Sequence, residues 1–249
     1  MNANLVVNRV IQNIDTNLNT IQKMVNIAAN SGADLVVFPE AALTGLINTD
    51  VPAHDLSLGQ KIPGPITQLL SKLTKKLNIW LAIGVLEYDR GRIYDSAVLI
   101  SSNGEIALKY RRIQSQWHGE NADSSIYCQG KEVTKVETPF GTFAFLLCGD
   151  LFDDEISNRV RILKPDWLLL PIARCFKDGS YDQKRFDKEE KQEYISRVKL
   201  IGVTTLITNY LADKDLNGGA FGGAMVISSD GTVIDCFPLG ESGILSVNL

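Results

Sequence analysis

Three short apolar runs place strong limits on how this chain folds. They cover residues 33–38, 143–148 and 166–170, and a proline or glycine directly follows each of them. Apolar runs of this length, with few polar residues at alternate positions, are typical of strands that are buried on both faces. We therefore expect these strands to lie inside the molecule, in sheets that other elements cover.

Segments with helical spacing of apolar residues separate these strands. Residues 16–31 carry apolar side chains on one face, and a proline begins a second amphipathic segment over 65–77. Further helices are predicted near 153–163 and over about 187–201. Buried strands that alternate with amphipathic helices predict an α/β protein whose sheets are covered by helices.

The middle and the end of the chain predict antiparallel strands. A meander is expected in the middle of the chain, with strands over 79–88, 93–101 and 105–110 and a strong turn signal at Asn103-Gly104. Closing strands are expected over 221–228, 232–237 and 243–248. No linker or low-complexity segment divides the 249 residues, so we predict a single domain over 1–249.

Composition and charge exclude several classes of protein. The formal net charge of −4 argues against a general nucleic-acid-binding protein. No apolar run approaches the roughly 18 residues of a membrane span, and the first residues do not resemble a secretory signal. The four cysteines have no C-x-x-C spacing, so neither a zinc site nor a redox motif is indicated, and two histidines are too few for a His-rich metal site. We expect a cytoplasmic protein with reduced thiols.

Cys148 is the most informative single residue. It ends the apolar run 143–148, and a predicted helix begins a few residues later. A thiol at such a turn lies at the end of a sheet, beside backbone N–H groups that favour a thiolate and can bind an oxyanion. The alternative is a buried structural cysteine, since free cysteine is among the most buried residue types.

Two other polar features also lie at predicted strand ends. Glu40 follows the buried run 33–38, where apolar surroundings would raise its pKa and make it a better general base. A basic cluster, Lys109-Tyr110-Arg111-Arg112, closes the last strand of the meander. A surface acid and a solvated strand end are the alternatives for these two features, and spacing alone does not show whether they meet Cys148.

Three segments together resemble the nitrilase superfamily of carbon–nitrogen hydrolases. GADLVVFPEAALTGL (32–46) resembles the family's glutamate motif, NGEIALKYRRIQ (103–114) its lysine motif, and TPFGTFAFLLCGDLFDDE (138–155) its cysteine motif. The resemblance continues to the closing segment 221–249, so it covers nearly the whole chain in order. The chain is identified as a member of this superfamily from these motifs.

This resemblance implies a four-layer αββα sandwich without a metal or cofactor, usually assembled as a homodimer. It implies that Cys148 attacks an amide or nitrile carbon, that Glu40 is the general base, and that the Gly149 N–H helps bind the oxyanion. The expected substrate is a small linear amide or an N-carbamoyl amine, and the expected intermediate is an acyl-thioester. An N-acyltransferase that uses the same intermediate, or a degenerate member that only binds a ligand, are the alternatives.

The chain departs from the family pattern at several positions. Arg112 stands where the family carries its catalytic lysine, and Lys109 is a weaker candidate because three residues along a strand reverse the facing direction. Glu120 and Asp123 compete for the role of a second acid, with Glu120 favoured slightly. Gly149 replaces an aromatic or acidic residue, which predicts an altered pocket rim.

Two segments without clear periodicity, 111–131 and 172–186, are expected to supply pocket walls. Trp117 is a candidate for such a wall, with a surface contact as the alternative. The glycine-rich segment 218–223 lacks the Lys-Ser/Thr pair of a phosphate-binding loop, so it is expected to be a loop at the pocket edge.

Overall fold

A computed structural model of the chain describes residues 1–216 and 219–249, so Gly218 of the glycine-rich segment lies outside the described residues. Two six-stranded sheets dominate the described part. In spatial order, the first sheet contains β14 (Gly243–Asn248), β1 (Asn2–Val7), β3 (Leu35–Val37), β4 (Trp80–Asp89), β5 (Arg92–Ile100) and β6 (Ile106–Arg111). The second sheet contains β13 (Val233–Leu239), β12 (Gly222–Ile227), β10 (Thr204–Asn209), β9 (Trp167–Ile172), β8 (Gly141–Phe145) and β7 (Lys135–Thr138).

Helices cover the outer faces of the sheets, and a short strand pair, β2 (Arg9–Val10) with β11 (Leu211–Ala212), lies apart from both. The α-helices are α1 (Ile14–Asn30), α2 (Pro52–Leu58), α3 (Pro65–Leu77), α4 (Asp154–Leu163), α5 (Gln183–Lys188) and α6 (Glu190–Ile201). A 3₁₀ helix spans Cys148–Phe152. No helix in the described ranges is long and apolar enough to cross a membrane.

The four layers follow from the alternation of side chains along each buried strand. In β3, Leu35 and Val37 belong to the core between the two sheets, whereas Val36 belongs to the core beneath α1 and α3. Both faces of this strand are therefore covered, which explains its continuous apolar sequence. On the far side, α4 and α6 contribute Val160 and Val198 to the core of the second sheet. The predicted αββα sandwich is confirmed.

Each sheet contains three adjacent parallel strands. β3 pairs in parallel with β1 and β4 in the first sheet, and β9 pairs in parallel with β8 and β10 in the second. The chain leaves β3 toward Glu40 and leaves β8 toward Cys148. Ligands bind at the carboxyl ends of such strands in α/β proteins, because loops and helix starts meet there.

Candidate active site

Cys148 lies at a sharp turn between β8 and α4. It is the first residue of the 3₁₀ helix, it is 6% exposed, and its backbone has a φ of 41°. A non-glycine residue in this left-handed region is strained, and such strain persists only where the surrounding structure enforces it. The turn therefore holds the thiol in a defined position near the sheet end.

Asp150 fixes this turn to the neighbouring sheet. Its Oδ1 accepts hydrogen bonds from the N–H groups of Ile113 (3.1 Å) and Gln114 (2.7 Å). Its Oδ2 accepts from the Tyr110 hydroxyl (2.6 Å) and from the Leu147 N–H (3.1 Å). Burial raises the pKa of Asp150 above its ordinary value even though these donors oppose the shift. One buried carboxyl group thus joins the cysteine turn to the end of β6.

Glu40 lies at the end of β3 and is completely buried. Ala41, directly after it, has a φ of 46°, and a Cβ atom at Gly84 would lie only 2.5 Å from the Glu40 Cα. Gly84 on β4 is therefore required for the close approach of this turn. Burial first, and the neighbouring Cys148 second, raise the pKa of Glu40 to about 8. The sequence predicted apolar surroundings and a raised pKa for Glu40, and its burial in the structure agrees with that prediction.

Arg112 occupies the space between the two sheet ends. Its side chain is 4% exposed, and its Nη1 donates to Glu40 Oε1 at 2.9 Å. Nη1 also lies 3.4 Å from Asp95 Oδ2, and Nη2 donates to Gln114 Oε1 at 3.0 Å. Burial alone would lower the pKa of Arg112, but the neighbouring acidic groups Glu40, Cys148 and Asp95 together raise it. The guanidinium therefore stays positively charged beside Glu40 and Cys148.

Asp95 on β5 is a second buried carboxyl group in this cluster. Its side chain is inaccessible to solvent, and the Arg112 N–H donates to its backbone oxygen at 2.8 Å. Burial first, and the charge of Glu40 second, raise the pKa of Asp95 well above its ordinary value. Two carboxyl groups that share one guanidinium in a buried site do not both ionise easily. Of the two, Glu40 makes the shorter contact with Arg112, at 2.9 Å against 3.4 Å for Asp95.

A cavity of about 610 Å³ opens above these residues. Arg112, Cys148 and Gly149 line it, together with Gln114 and Gln116 from the segment 111–131. Both segments that the sequence predicted as pocket walls contribute to it, since Arg174 comes from 172–186.

The outer wall of the cavity is mostly charged. Arg174 forms a bidentate ion pair with Glu190, at 2.7 and 2.8 Å from Nη2. Glu189 and Glu193 line the same wall, where they pair with Arg185 and Arg197 outside the cavity. Leu46, Phe152 and Ala173 also line the cavity, so it offers both charged and apolar surface to a substrate.

Other sequence candidates lie outside this cavity. Lys109 Nζ donates to the buried Glu87 at 2.8 Å. Glu120 and Asp123 are both exposed, and Asp123 accepts from Ser125 within its own turn. Trp117 is buried in a separate cluster with Tyr127. The structure thus brings together Glu40, Arg112, Cys148 and Gly149, but not the remaining candidates.

Four residues of the site were not predicted from the sequence, namely Asp95, Gln114, Asp150 and Arg174. Asp150 stands two residues after Cys148, and an acidic residue so close to a candidate nucleophile could have been predicted as part of the site. Asp95 sits within a strand whose other residues are mostly apolar, and a buried polar residue in such a run indicates a partner. Nothing in the local sequence marks Gln114 or Arg174.

Comparison with known proteins gives the class of the molecule. The model of the carbon-nitrogen hydrolase family matches residues 6–163, which is more than half of the chain. The chain therefore belongs to the carbon-nitrogen hydrolase family, and the resemblance to the nitrilase superfamily is confirmed.

Individual relatives are more distant. A deaminated glutathione amidase of Yersinia enterocolitica is 26% identical over 172 residues, which cover 65% of this chain and 59% of that protein. The chain thus matches less than two thirds of this relative's length.

Two solved structures share the fold at low sequence identity. A carbon-nitrogen hydrolase from Helicobacter pylori G27 superposes with a TM-score of 0.84 and 18% identity, covering 99% of this chain and 88% of that one. A variant amidase from Nesterenkonia sp. AN1 superposes with a TM-score of 0.81 and 18% identity, covering 100% and 90%. That structure shows the acetamide moiety of fluoroacetamide covalently added at its active-site cysteine.

Proposed function

We propose that this protein hydrolyses a C–N bond of a small linear amide or N-carbamoyl amine through an acyl-thioester on Cys148. The observation that carries the proposal is that Cys148 and Arg112 line the same cavity, while Arg112 donates a hydrogen bond to the buried Glu40 at 2.9 Å. A nucleophile, a base with a raised pKa and a fixed cation are the groups that acyl transfer to a thiol requires.

Acylation begins with removal of the thiol proton. Glu40 accepts that proton while the Cys148 sulfur attacks the carbonyl carbon, so the C–S bond forms as the carbonyl π electrons move to oxygen. The Gly149 N–H and the Arg112 guanidinium stabilise the resulting oxyanion. Glu40 then returns the proton to the leaving nitrogen, the C–N bond breaks, and ammonia or an amine departs.

Deacylation uses the same groups in reverse roles. Glu40 takes a proton from water as the water oxygen attacks the thioester carbon, and the same two donors stabilise the second oxyanion. The C–S bond breaks and the proton passes to the Cys148 sulfur. Glu40 Oε2 has no hydrogen-bond partner among the described residues, which leaves this oxygen available for both proton transfers.

Arg112 acts in this scheme as a fixed positive charge. A guanidinium does not lose its proton near neutral pH, so Arg112 takes no part in proton transfer. Its contacts with Glu40 and Gln114 hold the head group close to the reacting atoms. A permanent positive charge held in a fixed position is sufficient for electrostatic stabilisation of an oxyanion.

The relatives support the same reaction class. The Yersinia enterocolitica protein and the Nesterenkonia sp. protein are both named as amidases. A covalent adduct on the active-site cysteine of the second protein is consistent with a cysteine nucleophile at the corresponding place in the fold.

Ammonia release from a panel of short amides and N-carbamoyl amines tests the proposal, with Cys148→Ala as the control. We expect release by the native protein and none by the variant. Acyl transfer to an added amine without hydrolysis would instead identify an acyltransferase. Absence of both reactions in folded protein, with no acyl adduct on Cys148, would identify a member that only binds a ligand.

We also propose a homodimer. Ile162 on α4 and Leu200 on α6 are 71% and 59% exposed, although both lie on helices of the same outer layer. Large exposed apolar side chains on neighbouring helices are typical of a contact surface. The cytoplasmic location stays a prediction from the sequence.

A further inference from the structure

Gly149 has no conformational requirement for glycine. Its φ lies outside the left-handed region, so alanine could adopt the same backbone conformation. In this respect it differs from Cys148 directly before it, whose φ is positive. The reason for a glycine at position 149 must therefore lie in the space around its Cα.

Arg112 fills that space. A Cβ atom at position 149 would lie well under 3.0 Å from Arg112 Nη2, closer than real Cβ contacts come, and 3.0 Å from Gln114 Oε1. The guanidinium thus lies against the bare Cα of Gly149, whose N–H is the proposed oxyanion donor. Any side chain at this position would compete with Arg112 for the same place.

Arg112 is not free to move away from such a side chain. Its guanidinium bonds to Glu40 at 2.9 Å and to Gln114 at 3.0 Å, and it is 3.4 Å from Asp95. Only 4% of the Arg112 side chain is exposed, although it lines the cavity. A shift would break charge-assisted hydrogen bonds of a mostly buried guanidinium, and losing these costs more free energy than losing a neutral hydrogen bond at the surface.

We propose that Gly149 is a positioning residue, whose missing side chain creates the space that lets an arginine serve as the cation of this site. The inference rests on the proposed function in that it takes Arg112 to be the group that stabilises the oxyanion. Positions 112 and 149 are then energetically coupled: a side chain at 149 is harmful when residue 112 is arginine, and nearly harmless when it is the slimmer lysine.

A double-mutant cycle with Gly149→Ala and Arg112→Lys tests this coupling. Displacement of a catalytic group by about 1 Å costs up to ~100-fold in rate. We expect Gly149→Ala to lower kcat/KM by about 10- to 100-fold in the native background, and by less than about 3-fold when Arg112→Lys is already present. The double variant would then have a kcat/KM within about 3-fold of that of Arg112→Lys alone.

A second readout does not depend on knowing the substrate. The rate of Cys148 alkylation by iodoacetamide is followed by peptide mass spectrometry, with the exposed Cys175 as internal reference. We expect Gly149→Ala to change the alkylation rate of Cys148 when residue 112 is arginine and to leave it nearly unchanged when residue 112 is lysine. The alkylation rate of Cys175 should be the same in all variants. If the native protein hydrolyses no amide, the proposed function fails, but this readout still decides whether residues 112 and 149 are coupled.

Gly119→Ala is the matched control. It also lacks a positive φ, and its added Cβ would also press on the end of a side chain, Asp50, but it lies outside the cavity. We expect native alkylation of Cys148 in this variant. Equal effects of Gly149→Ala in both backgrounds, or no effect in either, would overturn the inference, provided that thermal unfolding shows each variant to be folded.

Discussion

The chemistry at the residue scale depends on where the protons and charges of a buried cluster lie. Glu40 and Asp95 both approach Nη1 of Arg112, at 2.9 and 3.4 Å. One positive charge balances one carboxylate, so the two acids do not both ionise easily. In the proposed mechanism, Glu40 is the acid that changes protonation during the reaction.

The dependence of activity on pH follows from the pKa of Glu40. Its burial, and then the neighbouring Cys148, raise this pKa from 4.5 to about 8. A base acts only when unprotonated, so kcat/KM should rise as pH increases from 6 to 9, with a midpoint near 8. A pH–rate profile on the best amide checks this. A flat profile over that range would show that Glu40 is ionised throughout.

The choice between Arg112 and Lys109 is decided by a pair of matched substitutions. Arg112 contacts Glu40, whereas Lys109 contacts the buried Glu87 on β4. Loss of a donor to an oxyanion costs about 100- to 1000-fold in kcat. We expect that loss for Arg112→Met and less than about 3-fold for Lys109→Met. The reverse order in steady-state kinetics would assign the catalytic cation to Lys109.

At the scale of elements, Asp150 connects the cysteine turn to β6. Four donors converge on its two oxygens, three of them backbone N–H groups. The turn at Cys148 and the start of the segment 111–131 therefore move together. A change at Asp150 should affect both the position of the thiol and the cavity wall.

Asp150→Asn should lower the free energy of unfolding by about 2–3 kcal/mol, because an NH2 group replaces one of the two acceptor oxygens and then faces at least one backbone N–H that needs an acceptor. Tyr110→Phe is the control, since it removes one hydroxyl donor and keeps all three N–H partners. We expect a loss of about 1 kcal/mol for that variant. Urea unfolding measures both, and equal losses would show that the backbone contacts of Asp150 matter little.

The helices and strands predicted best are those whose apolar spacing alone indicates the structure, without help from residues distant in the sequence. The helix expected over 65–77 agrees with α3, and the strands expected over 79–88 and 93–101 agree with β4 and β5 within a residue or so. β1 was not predicted, since its asparagines disfavour strands. Asn4 is nevertheless fully buried there, next to Ser31 at the end of α1. Tertiary packing therefore overrides the local preference in this strand.

The site could be predicted only in part for a similar reason. Glu40 and Cys148 each follow an apolar strand, so both are visible as polar residues at strand ends. Gln114 and Arg174 lie in segments without periodicity, and only the folded chain shows that they line the cavity. Why position 149 carries a glycine can likewise be explained only from the position of Arg112 in the folded chain.

At the scale of the whole molecule, the site exists only when the two sheets are packed together. Glu40 and Arg112 come from the first sheet, whereas Cys148 comes from the second. The Thr208 hydroxyl donates to the backbone oxygen of Val6 at 2.6 Å and so joins the sheets through a buried hydrogen bond. Packing of the sandwich is therefore a condition for the proposed activity as well as for stability.

The proposed homodimer is also a property of the whole molecule. Leu200→Glu would place a charge on the exposed layer of α4 and α6, and should shift the protein from dimer to monomer in light scattering after gel filtration. Ile27→Glu is the matched control, since Ile27 is equally exposed, at 59%, on α1 of the opposite layer. A monomer in the native protein, or dissociation by both variants, would contradict this assignment.

The acyl-thioester on Cys148 is tested most directly by adding hydroxylamine to the protein as it turns over a short amide. Hydroxylamine competes with water for an acyl-enzyme and converts the acyl group to a hydroxamate. The mechanism predicts hydroxamate at the expense of free acid, one ammonia for each acyl group released, and loss of all products in Cys148→Ala. Ammonia release without any hydroxamate, or release that persists in Cys148→Ala, would contradict a covalent mechanism at this site.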